Sequence, residues 1–257
     1  MDIYRTTVSS LEKLGIKFTE GQVSLLMRYL NIVYDYNMNI NIVGTKKKED
    51  ILVRHFLDCL SILKYRKSIF GLEDECKKIL DIGTGAGLPG LLLAIFLKNK
   101  KFYLMDKKIK KISFLEKTIE TLNLSNVRLV RGMAEELAHD RGHRENYDLV
   151  LARAVAKINI LSELAIPFCK INGKIVFYKS KKAFNEVVST RHKISELGGR
   201  VYGSKEVEVP GLKEFRIFMI ITKEKSTPCK YPRSIAKINK TNKKGNWGCQ
   251  NIYGMCL

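Results

Sequence analysis

The stretch ILDIGTGAGLPG, residues 79–90, satisfies two glycine fingerprints at once. Gly85, Gly87 and Gly90 spell G-x-G-x-x-G, the loop that cradles a dinucleotide pyrophosphate. Asp81 with Gly83, Gly85 and Gly87 spells D-x-G-x-G-x-G, the loop of enzymes that use S-adenosylmethionine (SAM). Either loop needs a strand before it and a helix after it. Both flanks comply, with the β-rich KKILDIG ahead and the apolar LPGLLLAIFLK behind, Pro89 being tolerable in a first helical turn.

Outward from this loop, short β-rich runs alternate with helical ones. FYLMD, NVRLVRG, YDLVLARAV and GKIVFYK are separated by stretches long enough for crossover helices. Between two of them, Ile109, Ile112, Leu115, Ile119 and Leu122 make an apolar stripe at helical period. Such alternation predicts βαβ units and a mostly parallel sheet. The last two runs, RVYGSKEVEV and FRIFMIITK, are joined only by PGLKE, too short for a crossover, so they form an antiparallel hairpin. The expected fold is therefore α/β and Rossmann-like, with seven strands. Residues before it read as helical. Val23, Leu26, Met27, Leu30, Val33 and Tyr34 define one helix with Thr19 as its N-cap, and Leu52, Phe56, Leu60 and Leu63 define a second from about Lys48.

The chain has 257 residues, 45% of them apolar, enough for one large domain with an appendage. No apolar run approaches a membrane span and the N-terminus lacks a signal-peptide stretch, so a soluble, cytoplasmic protein is expected. Six scattered cysteines without a C-x-x-C read as reduced thiols, and no metal site is expected. His139 and His143 lie four apart, but in a polar stretch with Gly142 that reads as a solvated loop. Net charge is +20. It clusters: residues 98–111 carry seven Lys around one Asp, and residues 222–257 carry eight Lys/Arg and one acid. That distribution favours a polyanionic partner such as nucleic acid.

The glycines do not choose the cofactor, and neither does Asp106, which sits where either fold needs an acid for the ribose. Asp81 discriminates. A carboxylate at the end of the first strand repels a pyrophosphate but suits the sulfonium and ammonium of SAM. A third acidic position follows the third strand in GMAEEL, where the Ala134 N–H and the Glu135 side chain can address an adenine edge. Three acids after three successive strands favour SAM over a nicotinamide cofactor.

Absent motifs narrow the acceptor. An Asn/Asp-Pro-Pro-aromatic loop for exocyclic amines is missing, since the fourth strand ends LARAVA. Cys169 lies in an apolar setting unsuited to a thiolate nucleophile. A ring nitrogen such as guanine N7 fits both absences, because its lone pair is free without a base. Arg153 at the fourth strand's end can hydrogen-bond guanine or a phosphate. In LVRHFLDCLSI, Arg54 and Asp58 are four apart beside His55, either as a helical ion pair or as one wall of the crevice. A SAM enzyme acting on another RNA or a small molecule, a nicotinamide-dependent oxidoreductase and a non-catalytic RNA-binding protein all stay open on this reading.

The motifs together resemble the RsmG, or glucose-inhibited division protein B, family of bacterial small-subunit rRNA methyltransferases. The matching segments are NIVG (41–44), RHFLDCL (54–60), DIGTGAGLPG (81–90), KKISFL (110–115), MAEE (133–136), ARAVA (152–156) and TPCKYPR (227–233). The resemblance implies a class I SAM-dependent methyltransferase sheet and N7 methylation of one guanine in 16S rRNA, free or within a small subunit or assembly intermediate, by a monomer. It implies cofactor contacts at Gly83, Leu88, Ala134, Glu135 and Arg153, to which the reading of the loop and strand ends adds Asp81, Gly85, Gly87 and Asp106, and it suggests Lys179 as an RNA contact. Arg153, Asp58 and His55 are the candidate catalytic residues, and Asn41, Arg54, Lys230 and Arg233 are further candidate RNA contacts. The division expected is a helical extension over 1–70, the methyltransferase domain over 71–223, and a basic tail over 224–257 ordered by a partner. Ala152, Cys59 and Ser180 depart from the family's usual Ser, Ser and Gly, and residues beyond Lys240 match nothing in it.

Overall fold

The computed structural model describes residues 2–71, 77–153, 156–180, 184–213 and 215–245. Ala154 and Val155 of the ARAVA motif, Cys76, and residues 246–257 with Cys249 and Cys256 lie outside the described residues. Seven strands form one sheet: β1 (Lys78–Ile82), β2 (Lys101–Asp106), β3 (Val127–Arg131), β4 (Tyr147–Arg153), β5 (Cys169–Ser180), β6 (Gly199–Val207) and β7 (Arg216–Lys223). Their order is β3-β2-β1-β4-β5-β7-β6. The first five are parallel, and β7 runs antiparallel between β5 and β6, as the short PGLKE connection requires. The order reverses between β1 and β4, which opens a crevice beyond their carboxyl ends, where α/β sheets bind ligands.

The helices are α1 (Ile3–Lys13), α2 (Glu20–Asn39), α3 (Lys48–Ile51), α4 (Asp58–Leu60), α5 (Arg66–Phe70), α6 (Gly90–Phe96), α7 (Ile109–Leu122), α8 (Ala134–Leu137), α9 (Ile158–Ala165), α10 (Phe184–Glu196) and α11 (Ile235–Gly245). Alternation along the strands splits the core. Ile79, Leu149, Leu151 and Val176 face one buried cluster, shared with residues of α1, α2, α6 and α7. Leu80, Ile82, Val150, Ala152, Ile175 and Phe177 face the other, with residues of α9 and α10. Thr19 caps α2 through a reciprocal capping box with Gln22, as expected. The second N-terminal helix is less regular than its apolar stripe suggests. Between α3 and α4, residues Leu52–Leu57 form a π-turn, and Ser61–Tyr65 tighten to a 3₁₀ turn before α5.

The joint between β1 and α6 depends on a buried carboxylate. Asp81 has no solvent exposure. Its Oδ2 accepts hydrogen bonds from Thr84 Oγ1 at 2.6 Å and from Gly90 N at 2.8 Å, so it holds the start of α6 against the end of β1. Its Oδ1 has no protein partner among the described residues. Burial pushes its pKa up to about 7 despite the lowering effect of those hydrogen bonds. A Cβ at Gly90 would collide with Leu104 and with this carboxylate. Gly87 is constrained from the other side. Its φ is +89°, and a Cβ there would lie 2.6 Å from the Tyr29 hydroxyl. That hydroxyl reaches from α2 to donate to Ala86 O, so the N-terminal helices close directly over the glycine loop.

Two tests follow from this joint. Gly87→Ala combines a left-handed backbone with overpacking and should lower unfolding free energy by about 3 kcal/mol. Tyr29→Phe in that background removes the obstructing oxygen and should restore part of the loss, read by chemical denaturation. The second test concerns pH. The folded state keeps the Asp81 proton up to about pH 7, whereas the unfolded chain releases it near its ordinary value of about 4. Asp81 therefore makes stability fall as pH rises between those values, and leaves it flat above. Asp81→Asn should remove that decline, so its stability relative to the native chain should improve from pH 5 to pH 7.5. Parallel pH profiles would refute the buried, proton-holding carboxylate.

Candidate active site

At the carboxyl ends of β1, β2 and β3 lies a cavity of about 370 Å³, a volume suited to a small organic ligand. Gly83, Asp106, Ala134 and Glu135 line it, which brings together four of the positions expected at the cofactor. Gly83 adopts φ +67°, which exposes backbone rather than a side chain at the mouth. The Asp106 carboxylate is fixed before any ligand arrives. Its Oδ2 accepts from Gly85 N at 3.1 Å and its Oδ1 from Lys108 N at 3.0 Å, while Lys111 Nζ stands 3.6 Å from Oδ2. A carboxylate has lone pairs beyond these two amides, so acceptor capacity is left for ribose hydroxyls. Cradle, acceptor and apolar walls fit a nucleoside-bearing cofactor.

Other expected contacts sit elsewhere. Asp81 is wholly buried and does not line this cavity; its carboxylate is directed to the helix start and not to a cationic ligand. Gly85 donates its N–H to Asp106, and Gly87 and Leu88 are packed beneath Tyr29 and in the core, so these three shape the loop from behind.

A second cluster forms where β4 ends. Arg153 Nε donates to Asp58 Oδ2 at 3.0 Å, and its Nη2 lies 2.9 Å from the same oxygen, 2.8 Å from Arg54 O and 3.1 Å from His55 Nδ1. Asp58 Oδ1 accepts from Arg216 Nε at 2.7 Å. Of the two readings of the Arg54–Asp58 spacing, the helical ion pair is thus not made. Arg54 turns to Asp50 at 3.7 Å, on the exposed side, while the buried Asp58 binds two arginines from β4 and β7. The Asp58 amide donates to His55 O, and Arg54 O is met by Arg153. Burial, then the nearby Arg153 charge, lowers the His55 pKa to about 4, so its ring is neutral at pH 7. A hydrogen bond from His55 to the Val43 backbone ties in the NIVG loop. Asn41 caps that loop, accepting from Gly44 N at 2.8 Å, which leaves it a loop-shaping role.

Of the remaining positions, Lys179 Nζ donates to Ala156 O at 2.7 Å at the end of β5, and burial lowers its pKa. Lys230 is well exposed, with Glu196 at 3.6 Å. Arg233 is turned toward the body of the fold. Its backbone N, Nε and Nη2 all bind the carboxylate of Glu163, which has no exposure. Residues 224–233 are accordingly packed on the body of the fold. Arg144 alone donates to Thr227 O at 2.7 Å and Tyr231 O at 2.9 Å.

Cys169 is buried and its thiol pushed up to about 12 by burial, consistent with a core cysteine. His139 and His143 lie in turns and contact Pro232 O and Tyr147 Oη; among the described residues no group could hold a metal. No helix among them is long and apolar enough to cross a membrane. Sequence reasoning missed Tyr29, Arg216, Lys111, Leu164 and Ile235. Only Lys111 carried a local signal, one turn into the lysine-rich start of α7.

The family model for rRNA small subunit methyltransferase G matches residues 22–212. Ribosomal RNA small subunit methyltransferase G of Alkaliphilus metalliredigens is 35% identical over 222 residues, covering 86% of this chain and 91% of its own. Its namesake in Fusobacterium nucleatum is 37% identical over 225 residues, covering 88% and 93%. That of Oenococcus oeni is 37% identical over 228 residues, covering 88% and 91%. The match runs from within α2 to the loop after β6, and the chain belongs to the GidB family, rRNA small subunit methyltransferase G.

Proposed function

We propose that the chain transfers a methyl group from SAM to N7 of a guanine in the 16S rRNA of the small ribosomal subunit, acting as a monomer in the cytoplasm on the rRNA or on an assembling particle. The observation that carries the reading is the adjacency, on one sheet edge, of the Asp106 cavity and the Arg153–Asp58–His55 cluster in a chain of this family.

In this reading, Asp106 accepts hydrogen bonds from both ribose hydroxyls, and Ala134 N–H with Glu135 addresses the adenine edge. Gly83 lets the backbone approach the methionine part, and Asp81 holds the loop that presents it. Bound SAM supplies a methyl group already activated on a sulfonium. N7 attacks through a free lone pair, so no proton has to leave. The second cluster suits that requirement: His55, lowered to about 4, is neutral, and Asp58 is engaged by two guanidiniums and not poised as a base. What the chain must do is position guanine in line with the sulfur–methyl bond. Arg153, with three protein acceptors around it, is a rigid donor for guanine or a flanking phosphate. Asp58 offsets its charge, which would otherwise oppose the positive charge gathering on the methylated ring. Exposed Arg54 and Lys230, with Lys179 beside the crevice, are the RNA contacts this reading retains.

Mapping N7-methylguanine in 16S rRNA from cells lacking the chain tests the assignment, which predicts loss of one such site. An unchanged map overturns it, as does tight NAD binding without SAM binding. Asp106→Ala should weaken SAM binding by about tenfold or more, since charge-assisted hydrogen bonds are lost. Arg153→Lys keeps the charge but not the fork; kcat should fall about tenfold or more while SAM affinity stays within about twofold.

A further inference from the structure

β7 ends at the edge of the sheet opposite the crevice, because it runs antiparallel to β5. The chain nevertheless returns to the cavity. Residues 224–234 cross the face of α9 and α10 as a strap, and Ile235, the first residue of α11, lines the cavity together with Leu164 of α9. The strap is bound along its whole length. At its start, Glu224 N and Lys225 N both donate to Gly198 O, and a Cβ at Gly198 would strike Lys225 O. In its middle, Thr227 N donates to Glu145 Oε1 at 2.8 Å, and Arg144 gathers three strap carbonyls. At its end, Tyr231 is buried, with Lys193 Nζ 3.8 Å from its ring centroid, and Arg233 locks onto Glu163. Burial alone would raise the pKa of Glu163, but Arg233 and Lys193 hold it below the usual carboxylate range, so the lock stays ionised at neutral pH.

This density of bonds fixes one thing about the cavity, namely the position of Ile235. Two residues after the Arg233–Glu163 lock, its side chain is half-buried, and Ile238 on the same helix is anchored in the core. The cavity otherwise takes its walls from the β1, β2 and β3 ends and from Leu164. We infer that the strap completes the cofactor site: Ile235 is a cofactor-contacting residue, Arg233 and Glu163 are its positioning residues, and SAM binding and strap docking are thermodynamically coupled. The inference rests on the SAM reading above and adds to it a wall supplied from the C-terminal side of the hairpin. By linkage, a ligand that contacts the docked strap stabilises it by the same factor as the docked strap tightens the ligand.

The test uses the full chain. SAM titration by calorimetry should give an affinity about tenfold or more weaker for Ile235→Asp, whose melting temperature without SAM should match the native chain. Arg233→Met, with Lys193 still 3.5 Å from Glu163 to keep that carboxylate paired, should weaken SAM binding by about three- to tenfold. It should raise KM for SAM while leaving kcat at saturating SAM unchanged, and Arg233→Lys should recover part of the affinity. In hydrogen exchange, SAM should slow the amides of residues 235–238 in the native chain and less so in Arg233→Met. Native SAM affinity in both Ile235→Asp and Arg233→Met, or exchange of residues 235–238 indifferent to SAM, overturns the inference while leaving the SAM reading intact. A native chain that does not bind SAM overturns both.

Discussion

The bond between the Asp81 carboxylate and Gly90 N is the constraint from which the functional edge is built. A helix start has amides without intrahelical acceptors, and here one is capped by an acid from the strand that precedes it. The cap sets the distance between β1 and α6 so closely that residue 90 has no room for a Cβ. It also fixes the loop between them, whose Gly83, Gly85 and Gly87 all take positive φ. Gly85 N is thereby turned toward Asp106, and the Asp106 carboxylate is oriented by loop and strand together. The burial that makes Asp81 effective also raises its pKa, and Oδ1 is left without a protein partner. A buried acid of this kind is expensive in stability, and its retention is explained by the geometry it imposes on the neighbouring acid.

Asp58 solves the same problem by the opposite means. It too is buried, but two guanidiniums bind its oxygens and balance its charge in place. The three groups come from the N-terminal helices, β4 and β7, so one carboxylate holds the helical layer and the antiparallel hairpin to the end of the central sheet. Removing that carboxylate leaves two cations facing each other in a half-buried site, which is a larger penalty than losing either arginine alone. The backbone takes part as well, since Arg54 O accepts from Arg153 while the Asp58 amide donates to His55 O.

What could be read from the sequence was what local pattern encodes. Strand alternation, the helical stripe of α7, the Thr19 cap and the short link before β7 each involve residues within a few positions of one another, and all appear in the fold. The three acids were legible as a set because each follows a strand. Their division of labour was not: Asp81 faces inward and Asp106 and Glu135 face the cavity, and that depends on packing across β1, β2 and α2. The Arg54–Asp58 spacing was misleading for the same reason. An i,i+4 pair on a surface contributes about 0.2–0.5 kcal/mol, far less than a buried carboxylate gains from two arginines nearly a hundred or more residues away. Tyr29, Arg216 and Ile235 carry no local signal, because each acts at the end of a long-range contact. The tail was judged by its lack of periodicity, and a strap held by side chains to its carbonyls needs none.

The basic composition divides on the same principle. The arginines Arg28, Arg144, Arg153, Arg216 and Arg233 bind internal acceptors, where a planar fork can meet fixed carbonyl or carboxylate oxygens. By contrast, Lys98, Lys101, Lys107, Lys108 and Lys110 are exposed, on flexible stems that hold no single geometry. Such ammonium groups attract a phosphate backbone without reading its sequence, and their attraction falls with salt. The net charge of +20 is therefore two systems of different kinds. One is an internal set of arginines that ties elements of the fold together, neutralised in part by Asp58 and Glu163. The other is a mobile lysine surface that supplies the field. Only the first holds its donors in fixed positions, whereas the second attracts any phosphate backbone alike.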